Sequence, residues 1–411
     1  MNLKTIKNAG LGIMAAALLF SCNQDTNEAP QELETQLAAP SASNVIPGQF
    51  IIVFNNNAAS ESGRMAMSYE KSQDFVKAQT LKMLSEEGIK GSILNVYSKS
   101  ISGATLKLNA SDIEQLKKRK DVSYIEEDRL VVFAPPCGTP NGGPCDGGGG
   151  GGGTIQETPY GITRVNGVSS YTGSGVAWIL DSGIDLDHED LNVDASRGFN
   201  AFTSGRDGKS ADDGNGHGTH VAGTIAALNN NVGVIGVAPG ATVIPVKVLD
   251  SRGSGSYSGV IAGVDHVGAN GANGDVANMS LGGPVSQALD DAVVAASNNS
   301  GVKFALAAGN DSDDANNHSP ARANGPNIVT ISAMNSSDTW ASFSNFGNPP
   351  VDFCAPGVAV KSTWKDGGYN TISGTSMASP HAAGVLLLGT ATTNGTVNGD
   401  PDGNPDPIIV H

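Results

Sequence analysis

Seven consecutive glycines at 147–153 divide this 411-residue chain, because a run without side chains has nothing to pack. They close a segment, 134–154, that also holds Pro135, Pro136 and Pro144 beside Cys137 and Cys145. Such a composition reads as an exposed linker that proteases cut easily. The segment therefore reads as a linker between the parts of the chain on either side of it.

On the N-terminal side, Lys4 and Lys7 precede an apolar run from about Leu11 to Phe20, followed by Ser21 and Cys22. This is the layout of an export signal, and the run is too short to stay in a bilayer as a helix. Leu19-Phe20-Ser21-Cys22 resembles a bacterial lipobox, which would make 1–22 a lipoprotein-type signal with the lipid on Cys22; a plain signal cleaved elsewhere is the alternative. Residues 23–44 are polar and without periodicity, as expected of a disordered tether. From 45 to 133 the composition turns globular. Gln49 to Phe54 reads as a strand and Ser68 to Glu87 as a helix; Ala104 to Leu108, Ile113 to Lys120 and Val122 to Asp128 follow as strand, helix and strand. The order predicts a small α+β sandwich of the split βαβ, ferredoxin-like kind.

On the C-terminal side, three distant segments supply an acid, a base and a hydroxyl. Gly374-Thr375-Ser376 leads into the apolar stretch 382–388, so Ser376 is expected at a helix start, with Pro380 in the first turn, where its missing N–H costs nothing. Unpaired N–H groups and the positive end of the helix dipole favour negative charge developing there. A serine hydroxyl needs a base to become a nucleophile. Of seven histidines, His217 stands between two glycines before an apolar helical stretch. His220 follows one turn later, but the glutamate of a zinc-protease motif is missing between them. The apolar run 176–180 ends in Asp181 and a glycine turn, and carboxylates at strand ends of α/β folds face the ligand crevice. Such a carboxylate would hold the tautomer of His217 and stabilise its charged form.

The order Asp181, His217, Ser376 and the spelling of all three segments resemble the subtilisin-like serine proteases, closest to the proteinase K branch. The resemblance runs from about 159 to 388 and includes Asn278-Met279-Ser280-Leu281-Gly282-Gly283, Ala307-Ala308-Gly309-Asn310 and Ser342-Phe343-Ser344-Asn345-Phe346-Gly347. It implies a parallel α/β sheet flanked by helices across a catalytic domain at 155–390, and endopeptidase activity without a catalytic cofactor. It further implies that Asn310 and the Ser376 N–H hold the oxyanion. Gly253-Ser254-Gly255 and Ser280-Leu281-Gly282 match two edges that would sandwich an extended peptide by strand addition. Ala307, Ala308 and Gly309, with Gly282 and Gly283, would wall an uncharged pocket and select apolar or aromatic P1 residues with broad tolerance; a dedicated processing protease fits the same pocket. Residues 45–133 resemble the I9-type inhibitory propeptide of this family, with self-processing expected in the linker. The lipid would then stay on the propeptide, leaving the catalytic domain to be released from the envelope.

A net charge of −16 argues against nucleic-acid partners. By the same resemblance, the Pro326 and Ile328 carbonyls and the Asp352 carboxylate match a structural calcium site. Asp400, Asp402, Asn404 and Asp406 alternate without the glycine and glutamate of an EF-hand loop, so 391–411 is expected to be a solvated polar tail. Cys137 and Cys145 are close enough for a small disulfide loop, leaving Cys354 as a buried thiol. A surface binding protein that kept this fold and lost its activity is the rival reading, opposed by the intact chemical positions.

Overall fold

The computed structural model describes residues 44–55, 58–132, 155–389 and 391–411. The expectations for the export signal, Cys22, the tether, the linker and the pair Cys137 and Cys145 fall outside these residues.

The first unit runs β1 (Val45–Phe54), α1 (Ala58–Ala66), α2 (Tyr69–Glu86), β2 (Ser92–Tyr97), β3 (Gly103–Lys107), α3 (Ala110–Leu116) and β4 (Val122–Val132). Its strands pair antiparallel in the order β2-β3-β1-β4, as the split βαβ pattern predicts. Strand side chains alternate between faces. Phe50, Ile52 and Phe54 therefore pack on Val76, Met83 and Leu116 of the unit's own helices, while Ile51 and Val53 join a core shared with the second unit.

The second unit opens with α4 (Tyr160–Arg164), β5 (Ala177–Asp181), β6 (Asn192–Val193), β7 (Phe199–Asn200), α5 (His217–Ala226) and β8 (Thr242–Lys247). It continues with β9 (Ser254–Ser256), α6 (Tyr257–Asn270), β10 (Val276–Met279), β11 (Gly283–Pro284), α7 (Gln287–Ser300), β12 (Lys303–Ala307) and β13 (His318–Ser319). Then come β14 (Ile328–Met334), β15 (Val351–Pro356), β16 (Val360–Trp364), β17 (Gly368–Ile372), α8 (Thr375–Leu387), β18 (Thr392–Thr396) and β19 (Pro407–Val410).

The main sheet has the order β18-β19-β15-β14-β12-β10-β5-β8-β6, and from β15 to β6 it is parallel. Both faces are covered, which is why β5 reads as an unbroken buried run. Trp178 and Leu180 pack toward α6 and α7, and Ala177 and Ile179 toward α5 and α8. Neighbours β8 and β10 flank β5 on opposite sides, so Asp181 ends the strand at a switch in connection order, where ligand crevices form.

Two expectations need correction. The segment 391–411 is not a solvated tail: β19 pairs with β15 through Ile408 and Cys354, and Ile408, Ile409 and Val410 are buried. Their apolarity outweighs the charge of the preceding loop, whose carboxylates are capped by its own amides, Asp402 N and Asp406 N on Asp400 and Asn404 N on Asp402. Nor does Pro380 lie in the first helical turn. The helix starts at Thr375, so Pro380 is one turn further in and leaves the Ser376 carbonyl without its helical donor.

Candidate active site

Asp181 accepts from the His217 Nδ1 at 2.9 Å on each carboxylate oxygen. Tight backbone approach makes this pairing available. A side chain at Gly218 would meet the Gly183 carbonyl at 2.1 Å, and one at Gly216, where φ is +114°, would strike Trp364. Ser182 is the hinge of the arrangement. Its N–H donates to Asp181 at 2.7 Å, and its hydroxyl donates to Asp213 at 2.9 Å and accepts from the Gly218 N–H at 3.0 Å. Asp213 in turn accepts from the Gly216 and Thr219 amides, fixing the start of α5. Burial opposes charge on the His217 ring, but Asp181 and then Asp213 outweigh it and raise the pKa above its ordinary value.

His220 takes no part in this pair. Its Nε2 lies 2.9 Å from the Val360 carbonyl, and burial lowers its pKa to about 3, so it is a neutral core residue. Among the described residues, no cluster of three or more His, Cys, Asp or Glu side chains is arranged to hold a metal.

Ser376 lies at the start of α8, with its hydroxyl 3.2 Å from the Ser280 carbonyl. The carbonyl that Pro380 leaves open accepts the Ser280 hydroxyl at 2.7 Å. Ser280 accepts from Asn278 at 2.8 Å, and Asn278 accepts from Ser379 at 2.8 Å, so a buried chain of side chains binds the end of β10 to α8. Asn310 is held by its carbonyl oxygen, which accepts from the Thr375 N–H at 2.8 Å and lies 3.0 Å from the Thr375 hydroxyl. Gly309, with φ +109°, leaves room for Asn345, whose side chain braces the loop at the Ala308 carbonyl and the Asp311 and Asp313 amides.

Of the two expected peptide edges, the first is occupied. β4 of the first unit pairs antiparallel with β9, matching Val132 to Ser254, Val131 to Gly255 and Leu130 to Ser256. Gly255 must be glycine, since a side chain would meet the Val248 carbonyl at 2.2 Å, and Gly253 sits in the turn before it with φ +76°. Val131 is fully buried in a cluster with Leu281 of the second edge, Ser280 to Gly282. Ala307 ends β12, Ala308 follows it before Gly309, and both alanines are buried.

Carboxylates reinforce the contact between the units. Asp128 accepts from the Ser258 amide at 3.0 Å and hydroxyl at 2.6 Å, and Glu126 from the Ala288 amide at 3.1 Å, each at a helix start. Asp265, fully buried on α6, accepts from the amides of Ser98, Lys99 and Ser100 at 2.8, 2.6 and 2.7 Å. The Ser100 hydroxyl and Gln73 amide add 2.8 and 3.1 Å contacts.

Of the expected calcium residues, Pro326 lies in the turn before β14, Ile328 opens β14 and Asp352 lies in β15. Asp352 spends one oxygen on the Thr330 amide at 2.9 Å, and burial, with Asp406 adding repulsion, raises its pKa. Asp352 is half-buried and already accepts the Thr330 amide, so the structure by itself does not mark a cation site there. Cys354 is buried, and burial pushes its thiol well above the usual range, so it is not a nucleophile.

Asp181 and His217 thus form an acid–imidazole pair, and Ser376 lies at a helix start with its hydroxyl on the Ser280 carbonyl. Residues 174–397 match the subtilase family, and residues 49–134 match the peptidase inhibitor I9 family. The chain is 37% identical to an extracellular serine proteinase of Thermus sp. (strain Rt41A), over 93% of this chain and 90% of that one. It is 38% identical to subtilisin E of Bacillus subtilis (strain 168), over 82% of this chain and 84% of that one. A solved cold-adapted subtilisin-like serine proteinase is 43% identical, covering 56% of this chain and 83% of its own, with a TM-score of 0.49. The chain belongs to the subtilase family. It is a subtilisin-like serine endopeptidase preceded by an I9 propeptide.

The sequence brought Asp181, His217, Ser376 and Asn310 into view but not their supports. Ser182, Asp213, Thr375 and Asn345 are small polar residues in loops, and only tertiary contact distinguishes them from ordinary turn formers.

Proposed function

We propose that Asp181, His217 and Ser376 form the catalytic triad of a self-processed proenzyme, with Asn310 and the Ser376 N–H as the oxyanion hole. The two 2.9 Å contacts of His217 with Asp181 carry this reading. The neutral ring takes the Ser376 proton as the hydroxyl oxygen bonds to the peptide carbonyl carbon. The ring then gives that proton to the leaving amine, and water repeats the sequence on the acyl-enzyme. Loss of the Asn310 donor would lower kcat by about 10²–10³, a magnitude known from subtilisin itself.

Residues 45–133 act as the intramolecular inhibitor. β4 enters the cleft as an added strand along Ser254 and Gly255, the place a substrate would take, with Ser280 to Gly282 as the second edge. Cutting within 134–154 then separates it from the 155–390 catalytic region. Export is supported by the extracellular relative, and the lipobox-like Cys22 would anchor the precursor at the cell envelope. The spelling of the catalytic segments supports membership of the proteinase K branch, in which the Pro326 and Ile328 carbonyls with Asp352 would hold a structural calcium ion.

The pocket beside Ala307, Ala308 and Gly309 favours apolar or aromatic P1 side chains. Hydrolysis rates of peptides differing only at P1 test this. Phe, Leu and Met should lead, and a strong preference for Arg or Lys would refute it.

A further inference from the structure

Lys247 is fully buried at the end of β8, opposite Asp181 in the strand register. A buried ammonium is costly without partners, and this one has specific ones. Its Nζ donates to the Ser182 carbonyl at 2.5 Å and pairs with Asp207 at 3.2 Å, with the Phe202 ring 6.0 Å away. The Ser182 carbonyl belongs to the residue whose N–H donates to Asp181 and whose hydroxyl joins Asp213 to the start of α5. Asp207 also accepts from the Ser251 amide at 2.9 Å and hydroxyl at 3.2 Å, in the loop that leads into Gly253 and Ser254.

We propose that Lys247 is a positioning residue that fixes the Ser182 peptide, and so the Asp181 carboxylate, while its pairing with Asp207 ties the same strand end to the substrate-binding edge. The proposal rests on the triad reading above. Its two arms have different kinetic consequences. Losing the donor to Ser182 loosens the acid behind His217 and acts on kcat. Losing Asp207 loosens the edge that receives the peptide and acts on KM.

The test measures kcat and KM of the processed enzyme on a chromogenic peptide anilide with Phe at P1, for Lys247→Met, Lys247→Arg, Asp207→Asn and Asp181→Asn. Proton NMR follows the low-field signal of the His217 Nδ1 proton. Lys247→Met should lose at least tenfold in kcat with KM within about twofold, and shift or broaden that signal; Lys247→Arg should recover most of both. Asp207→Asn, at a partly exposed residue, should raise KM several-fold with kcat held, and it decides the matter if Lys247→Met does not accumulate. A folded Lys247→Met enzyme with near-normal kcat and an unmoved signal overturns the proposal, as does Asp207→Asn with unchanged KM. If Asp181→Asn itself keeps full kcat, the triad reading falls and takes this proposal with it. An inactive Asp181→Asn beside an unaffected Lys247→Met sinks the positioning role alone.

Discussion

The Ser280 hydroxyl donates at 2.7 Å to the carbonyl of Ser376, the one carbonyl in that helix which Pro380 cannot serve. A strand that would edge the substrate is thereby fastened to the proposed nucleophile's own peptide. In an inactive Ser376→Ala background, Ser280→Ala should destabilise the fold by about 1–3 kcal/mol, because a buried carbonyl loses its donor. The cost should shrink when Pro380→Ala restores a helical N–H, and denaturant titration of the four-way cycle reads this coupling directly.

The Asp181 contact sets a pH dependence. With the His217 pKa raised above 6.5, kcat/KM should climb with pH through a midpoint above that value, since in the proposed triad only the neutral ring accepts the Ser376 proton. Asp181→Asn should lower the midpoint and cut kcat by about 10⁴-fold. Stability has the opposite sense. The fold favours the charged ring, so this contribution is present below the unfolded pKa and is lost as pH rises through the folded one. Unfolding of the Ser376→Ala variant on both sides of the midpoint checks the sign.

Asp265 should govern how long inhibition lasts. Burial pushes its carboxyl pKa up, while the amides of 98–100 and the Ser100 hydroxyl pull against that by hydrogen bonding the charged form. Asp265→Ala leaves those donors unpaired, at a cost of about 2–5 kcal/mol to the contact. Propeptide inhibition should weaken by roughly 30-fold or more, and activity should appear sooner after refolding. An unchanged lag would show that strand addition at Gly255 carries the contact alone.

Deleting 390–411 should be damaging. Each of Ile408, Ile409 and Val410 buries an aliphatic side chain worth about 1.5–3 kcal/mol, and the deletion also bares the β15 edge. A truncated Ser376→Ala chain should melt well below its full-length counterpart. Equal melting temperatures would restore the solvated-tail expectation.

Chemistry was more legible in the sequence than its supports. A strand ending in Asp181, a glycine-flanked His217 and a Gly-Thr-Ser helix start are local patterns, and each appears where the pattern puts it. The C-terminal strand was hidden because only four residues, Pro407 to Val410, follow a carboxylate-rich loop, too few for periodicity to register. Pro380 misled because the first-turn rule is statistical, and only the tertiary donor Ser280 makes a later position tolerable. The propeptide interface did leave a trace: Phe50-Ile51-Ile52-Val53-Phe54 is apolar on both strand faces, and one face had to find a partner outside its own unit.

The most direct test is the intact mass of the chain expressed from Asn23 onward beside its Ser376→Ala counterpart. The triad and propeptide roles predict that the wild type is cut between 134 and 154 while the variant stays whole. Two folded, uncut proteins, or identical cutting of both, would contradict self-processing by Ser376.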